Sequence, residues 1–366
     1  MHTVGDALTL LERWFARRWA QSWDSVGLVG GEPAAPLRAI HVAVDPVEAV
    51  AREAVAAGAG LLLTHHPLWL GGTERITGPR GAAYETLARA ECALYVAHTN
   101  ADVADPGVSD ALADAVGLRG LRPLQPQDEP LDRWVVHVPA DHAAAVLDAM
   151  ATAGAGRFGD YDRCAFTSVG TGTFRPLPGA TPYVGAVGRA ELVAEERIET
   201  VAARSVRTAV AAAIRRTHPY EEPSLSVTES LAPTTRGLGR VGTLPAELTL
   251  QEFVAHVADR LPRTAAGIRA TGAAQARVRT VAVAGGSTLD LAEAAHAAGA
   301  DVFVTSDAKH HRAQDAPLPI VDVTHWAGEW PWTAAVGDRL RAAFPDVPVT
   351  VSRLVTDPWT MAAGHA

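Results

Sequence analysis

"PVEAVAREAVAAGAGLLLTHHP", residues 46–67, decides the fold. It opens on a proline, runs through residues that favour a helix, and ends on glycines, the usual asymmetry of a helix start and stop. Leu61 to Thr64 follow as a short apolar run of strand length. Just upstream, "LRAIHVAVD" (residues 37–45) alternates and carries β-branched residues, as a strand does. Strand, helix and strand in this order form a βαβ unit, which predicts a parallel sheet. The second strand then delivers His65 and His66 side by side, and Pro67 ends regular structure.

The same phrase returns near the end of the chain. "VRTVAVAGG" (278–286) reads as a strand, "STLDLAEAAHAAGA" (287–300) as a helix with Ser287 or Thr288 as its N-cap, and "DVFVTSDAKHH" (301–311) as a strand ending in polar residues. Helix tail, glycine turn, strand and threonine recur in one order, which reads as an internal duplication. Before the first unit, residues 6–18 read as an amphipathic helix and "WDSVGLVGG" (23–31) as a loop. Between the two units, six segments from "DRWVVHVP" (132–139) to "PSLSVTES" (223–230) follow the order β-α-β-β-α-β of a ferredoxin-like domain. Proline-rich "RPLQPQDEP" (122–130) and glycine-bearing "LAPTTRGLGRVG" (231–242) have the composition of boundaries. The predicted class is α/β, with two related α/β lobes at residues 1–128 and 232–366. The ferredoxin-like α+β domain is inserted at 129–231.

Composition narrows the function. The 366-residue chain is too long for one typical domain, and its net charge of −9 argues against a sequence-wide affinity for nucleic acid. Two isolated cysteines, Cys92 and Cys164, offer neither a thiolate zinc site nor a disulfide framework, which fits a reducing compartment. The N-terminus lacks the pattern of a secretory signal, and no apolar run reaches the length of a membrane span. A cytoplasmic protein is expected.

Three segments place metal-ligand residue types at strand exits, where functional groups gather in parallel α/β sheets. The first is His65–His66. The second is "LYVAHTNADVADPG" (94–107), with His98 and Asp102. The third is "PIVDVTHWAGEW" (319–330), with His325 and Glu329 spaced to share a face if a helix starts there. Taken singly, each has an ordinary reading as a packing residue, a turn cap or a solvated helical pair. Taken jointly, His65, His66, Asp102, His325 and Glu329 form a donor set of three imidazoles and two carboxylates. Five nitrogen and oxygen donors without sulfur suit two borderline ions better than one structural zinc. Glu329 is the candidate bridge, and His98 the candidate for proton transfer.

"THHP", "AHTNAD" and "THWAGE", in this order and at these separations, resemble the GTP cyclohydrolase 1 type 2 homologue family, also called the Nif-three-like dinuclear metal centre family. "WDSVGL", "VAVAGGS" and "TSDAKHH" extend the resemblance. "THPYEEP" and the long segment from "RFGDYDRCAF" to "TPYVG" resemble the inserted domain of its longer members. The resemblance implies a two-lobed α/β fold with a PII-like or CutA-like insert and a toroidal homohexamer. It also implies two divalent ions held at His65, His66, Asp102, His325 and Glu329. Three departures stand out: Ser25 in place of an asparagine, Ser306 in place of a glycine, and "HWAG" before Glu329. None removes a ligand.

The expected function is a metal-dependent hydrolase acting on a small, nucleotide-like substrate through a metal-activated water. Zinc, manganese, iron, cobalt and nickel are all compatible with such donors. Lys309 and His311 are candidates for contact with an anionic substrate group. The rival expectation is a non-enzymatic metal-binding scaffold or regulatory oligomer whose inserted domain senses a partner; metal storage is a third.

Overall fold

The computed structural model describes residues 2–363 apart from 72, 160 and 233. The chain divides into two compact units, one of residues 1–127 and 235–366, the other of residues 128–234.

Along the chain, the strands are β1 (Gly27–Gly30), β2 (Ile40–Ala43), β3 (Leu61–Thr64), β4 (Ala93–Val96) and β5 (Arg119–Pro126). The second unit holds β6 (Glu129–Pro139), β7 (Ala165–Phe174), β8 (Glu191–Ala203) and β9 (Leu225–Ala232). The chain then returns through β10 (Gly237–Thr249), β11 (Arg269–Ala270), β12 (Arg277–Val283), β13 (Val302–Ser306), β14 (Ile320–Val323) and β15 (Val349–Val351).

In the first unit, one sheet has the order β1-β4-β3-β2-β15 and another the order β11-β14-β13-β12-β10-β5. β2, β3 and β4 run parallel, as do β12, β13 and β14. All four residues of β2, β3, β4 and β14 are buried, because helices cover both faces of these strands and an apolar run is what such a strand requires. On one face of the first sheet, Val50, Ala54, Ala83 and Leu87 pack from the helices Glu48–Ala56 and Gly78–Arg89. On the other, Leu11, Phe15, Trp332, Val336 and Leu340 close the core. The helix Val108–Val116 is buried nearly all round, and it packs Val108 into the core of the first sheet and Leu112 and Val116 into that of the second.

The second unit is one four-stranded antiparallel sheet of order β7-β8-β6-β9, with the helices Ala143–Thr152 and Arg207–Thr217 supplying Val146, Met150, Val210 and Ile214 to its core. Its elements come in the order strand, helix, strand, strand, helix, strand.

Several expectations need correction. The first helix spans Val4–Trp14 and not 6–18. Phe15 leaves the helical path and is fully buried, its carbonyl accepts from Asn100 Nδ2 at 2.6 Å, and a separate 3-10 turn follows at Arg17–Trp19. The glycines of "WDSVGLVGG" form β1, paired antiparallel to β4. Thr288 stands at the predicted N-cap but makes no capping bond; its hydroxyl pairs with Thr305 Oγ1 at 2.8 Å. The boundary segments at 122–130 and 231–242 contain the unit division, and they are also structured: "RPLQP" and "GLGRVG" pair with each other as β5 and β10. The sheets also exchange strands across the chain: β15 lies in the first and β5 in the second, so neither sheet is confined to 1–128 or to 232–366.

One buried cation anchors the helix that carries Asp102. Arg240 on β10 is 2 % exposed, and its guanidinium donates to Asp110 Oδ1 (2.7 Å), to the carbonyls of Gly237 (2.7 Å) and Gly239 (2.9 Å), and to Ala104 O (2.8 Å). Ala104 is the C-cap of the short helix Thr99–Val103. The bond therefore ties the end of that helix to the second sheet.

Candidate metal centre

The parallel strands point their carboxyl ends the same way within each sheet, and their exits meet at one cavity of about 1070 Å³. β3 delivers His65 and His66. β4 delivers His98 and, one turn into the helix Thr99–Val103, Asp102. β14 leads into the helix His325–Ala343, whose first turn places His325 and Glu329 on one face, with Nε2 and Oε1 3.0 Å apart.

The donor atoms converge. Glu329 Oε2 lies 2.9 Å from His66 Nε2, and Oε1 lies 3.4 Å from His65 Nε2. His65 Nε2 is 3.8 Å from Asp102 Oδ1, and the Nε2 atoms of His66 and His325 are 3.3 Å apart. His65, His66 and His98 also form a group with ligand atoms within 4.8 Å of one another, as do His66, His325 and Glu329. His98 is thus within reach of the donor set.

Each imidazole is held from behind. The Nδ1 of His65 bonds the Ala97 carbonyl at 2.9 Å, that of His66 bonds Asp45 Oδ1 at 2.7 Å, that of His98 bonds Asp24 Oδ2 at 3.0 Å, and that of His325 bonds Asp307 Oδ2 at 2.6 Å. A carbonyl or carboxylate can only accept, so in a neutral ring the proton sits on Nδ1 and a lone pair is left on Nε2. Lone pairs then face the two oxygens of Glu329. His65 Nε2 and Glu329 Oε2 are buried and have no hydrogen-bond partner. Orphaned acceptors at a buried centre are costly unless a cation or protons occupy it.

Without a cation, protons take that place. Burial opposes charge on His66 and His325, but the Glu329 carboxylate together with Asp45 behind His66 and Asp307 behind His325 outweighs it and pushes them up to about 10 and about 11. Glu329 resists burial in the same way: His66, His325 and His65 hold its carboxyl well below the usual range. Asp102, buried and facing Glu329, is pushed up to about 7. The donor set therefore fits divalent cations: four imidazoles and two carboxylates, most of them pre-oriented, with unsatisfied acceptors at the middle.

Glycine completes the cradle. Gly286, after β12, has φ +69°, and a Cβ there would stand 2.7 Å from Glu329 Oε1 and 3.3 Å from His325 Nε2. Gly286→Ala should add about 1 kcal/mol of backbone strain and weaken divalent-ion binding by about tenfold, read by chelator competition. Unchanged affinity would show that the close approach is not required.

Comparisons with known proteins give the family. A family model described as Duf34/NIF3 (NGG1p interacting factor 3) matches residues 2–358. The chain belongs to the DUF34/NIF3 family. It is 44% identical over 370 residues to a Mycobacterium leprae protein named GTP cyclohydrolase 1 type 2 homolog, covering 98% of this chain and 96% of that one. A Bacillus subtilis protein of the same name is 39% identical, with 96% and 97% covered. Among solved structures, a Bacillus cereus protein related to NIF3 superposes with a TM-score of 0.79 at 35% identity, covering 99% of both chains.

Within this DUF34/NIF3 chain, Lys309 and His311 do not reach the centre. Both are exposed on or beside the short helix His310–Gln314, and neither lines the cavity. Ser25 is exposed, and Ser306 is fully buried at the end of β13. Sequence reasoning missed Asp24, Asp45, Asp307 and Gly286. The signal was present in part: Asp45 and Asp307 each stand just past a strand end, in "VAVDP" and "TSDAK", and Asp24 lies in "WDSVGL".

Proposed function

We propose that the chain holds two divalent metal ions on His65, His66, Asp102, His325 and Glu329 and uses them to hydrolyse a small, nucleotide-like substrate. The observation that carries this reading is the convergence of imidazole nitrogens and carboxylate oxygens on one buried centre, where His65 Nε2 has no hydrogen-bond partner and the two Glu329 oxygens lie within 3.4 Å of three imidazole nitrogens. Five nitrogen- and oxygen-bearing residues exceed what one tetrahedral ion takes up. Glu329, whose oxygens face different imidazoles, would supply a ligand to both ions. When bound, the cations supply Lewis acidity and acidify water.

The chain's own groups do the rest. His98 is held at Nδ1 by Asp24, which Thr99 fixes through both its N–H (3.1 Å) and its hydroxyl (2.6 Å). Its Nε2 is the ring's remaining polar atom, available to take up the proton that hydrolysis releases. The cavity is walled by Trp23, Trp326 and Trp359, with Arg80 and Arg269 among its lining residues. Trp23 and Trp359 are 56% and 65% exposed, so flat apolar faces are open to a planar ring. Arg80 makes no ion pair among the described residues and is available to an anionic group. The name carried by the relatives, GTP cyclohydrolase 1 type 2 homolog, is in keeping with such a substrate. The reading includes an internal duplication of the two parallel-stranded sheets, a ferredoxin-like inserted unit, assembly as a homohexamer and residence in the cytoplasm. None of the described helices is long and apolar enough to cross a membrane.

The test is a screen of metal-loaded and chelator-stripped protein against nucleotides, phosphoesters and cyclic amides, with the metal content measured in parallel. Turnover in one class that vanishes on stripping and returns on reloading is the expected result. Stoichiometric binding with no turnover in any class would overturn the hydrolase and favour a scaffold.

A further inference from the structure

We infer that Asp45 and Asp307 are a matched pair of positioning residues that set the two facing imidazoles in the metal-ligating tautomer, and that the C-terminal segment takes part through Thr356. The inference rests on the metal reading above and says how this chain builds the site.

The two sheets use one device. In the first, His66 leaves β3 and is backed by Asp45, which leaves the adjacent parallel strand β2. In the second, His325 leaves β14 and is backed by Asp307, which leaves the adjacent parallel strand β13. The two rings meet with Nε2 atoms 3.3 Å apart. The tautomers of a free imidazole are close in energy, so the bond at Nδ1 decides which nitrogen carries the lone pair. If either Nε2 carried the proton, an N–H would point into the place a cation must take.

Both carboxylates are themselves constrained. Asp45 spends one oxygen on His66, while the other accepts the Thr356 hydroxyl, from a residue more than 300 positions later in the chain. Thr356, Asp357, Pro358 and Trp359 also line the cavity, so this segment is part of the site's wall. Asp307 has φ +55°, a conformation that a side chain other than glycine rarely adopts. That backbone turn at the end of β13 accompanies the 2.6 Å bond to His325. Such outliers cluster where a residue's placement matters more than its local comfort.

The experiment uses the full chain, stripped and reloaded with zinc, as wild type, Asp45→Ala, Asp307→Ala, Asp45→Asn, Asp307→Asn and Thr356→Val. Zinc stoichiometry and dissociation constant come from competition with a chromophoric chelator. Nitrogen-15 NMR of the histidine rings reports which nitrogen binds zinc, and melting of the stripped proteins checks folding. Each alanine variant should bind zinc about 10–100-fold more weakly and show mixed Nδ1 and Nε2 ligation. The asparagine variants, whose amide oxygen can accept the same N–H, should recover most of the loss. Thr356→Val should weaken zinc less than Asp45→Ala and keep Nε2 ligation. If an alanine variant does not fold, its asparagine partner and Thr356→Val carry the test. Wild type that binds no zinc overturns the metal reading itself. Wild type that binds zinc while every variant matches it, or asparagine variants as weak as alanine, overturns this inference alone.

Discussion

Glu329→Gln should strip the protein of tightly held divalent ions, lowering affinity on the order of 10²–10³-fold. Apparent binding energies of structural zinc sites, about 10–16 kcal/mol over four ligands, assign roughly 3 kcal/mol to each ligand. Glu329 faces His65, His66 and His325 at once, so its loss is felt by more than one bond. Glutamine has the same shape, and its amide nitrogen can donate to one facing imidazole while its amide oxygen accepts from the other, so the metal-free fold should survive. The sign of the pH effect follows from the same residues. In the metal-free protein His66 and His325 are raised to about 10 and about 11, so near neutrality they are protonated. Metal must displace those protons, and apparent affinity in the wild type should rise with pH. In Glu329→Gln the carboxylate that raises both rings is gone, and this dependence should move to lower pH. Titration with a competing chelator at several pH values reads both effects. Wild-type affinity in the glutamine variant would sink the assignment of Glu329.

Arg240→Ala should cost about 3–5 kcal/mol of stability. The guanidinium is almost wholly buried and makes four hydrogen bonds, one to the Asp110 carboxylate and three to backbone carbonyls. Removing it leaves a buried charge and three carbonyls without that partner, and opens a space the packed core cannot readily fill. The loss should reach the metal centre too, because Ala104 ends the helix bearing Asp102 and Arg240 holds it. Urea unfolding gives the first quantity and zinc competition the second. A change below about 1 kcal/mol would mean that water or a neighbouring cation replaces the guanidinium.

The strands and helices nearest the site were legible in the chain because each carries its own local signal. Leu61–Thr64 is apolar on both faces, and the helix before it starts after a proline and ends near glycine. The spacing of His325 and Glu329 was equally readable, since one helical turn brings them together wherever the helix is placed. The boundaries were less so. Phe15 looks like a continuation of the first helix until Asn100, 85 residues away, claims its carbonyl. The composition of "RPLQP" marks a boundary and does not show that β10 returns to pair with it. Lys309 and His311 stand near imidazoles in the sequence and away from the centre in space.

What the sequence by itself determined was the donor inventory and the parallel strands that present it, because residue type and periodicity are local properties. Only the tertiary structure decided which acceptor stands behind each imidazole and that two sheets lend their strand exits to one centre. Asp45 and Asp307 each stand just past a strand end, which does not say what they hold. They matter because a neighbouring parallel strand ends beside them, and hydrogen bonds between residues far apart in the chain leave no mark on composition or spacing.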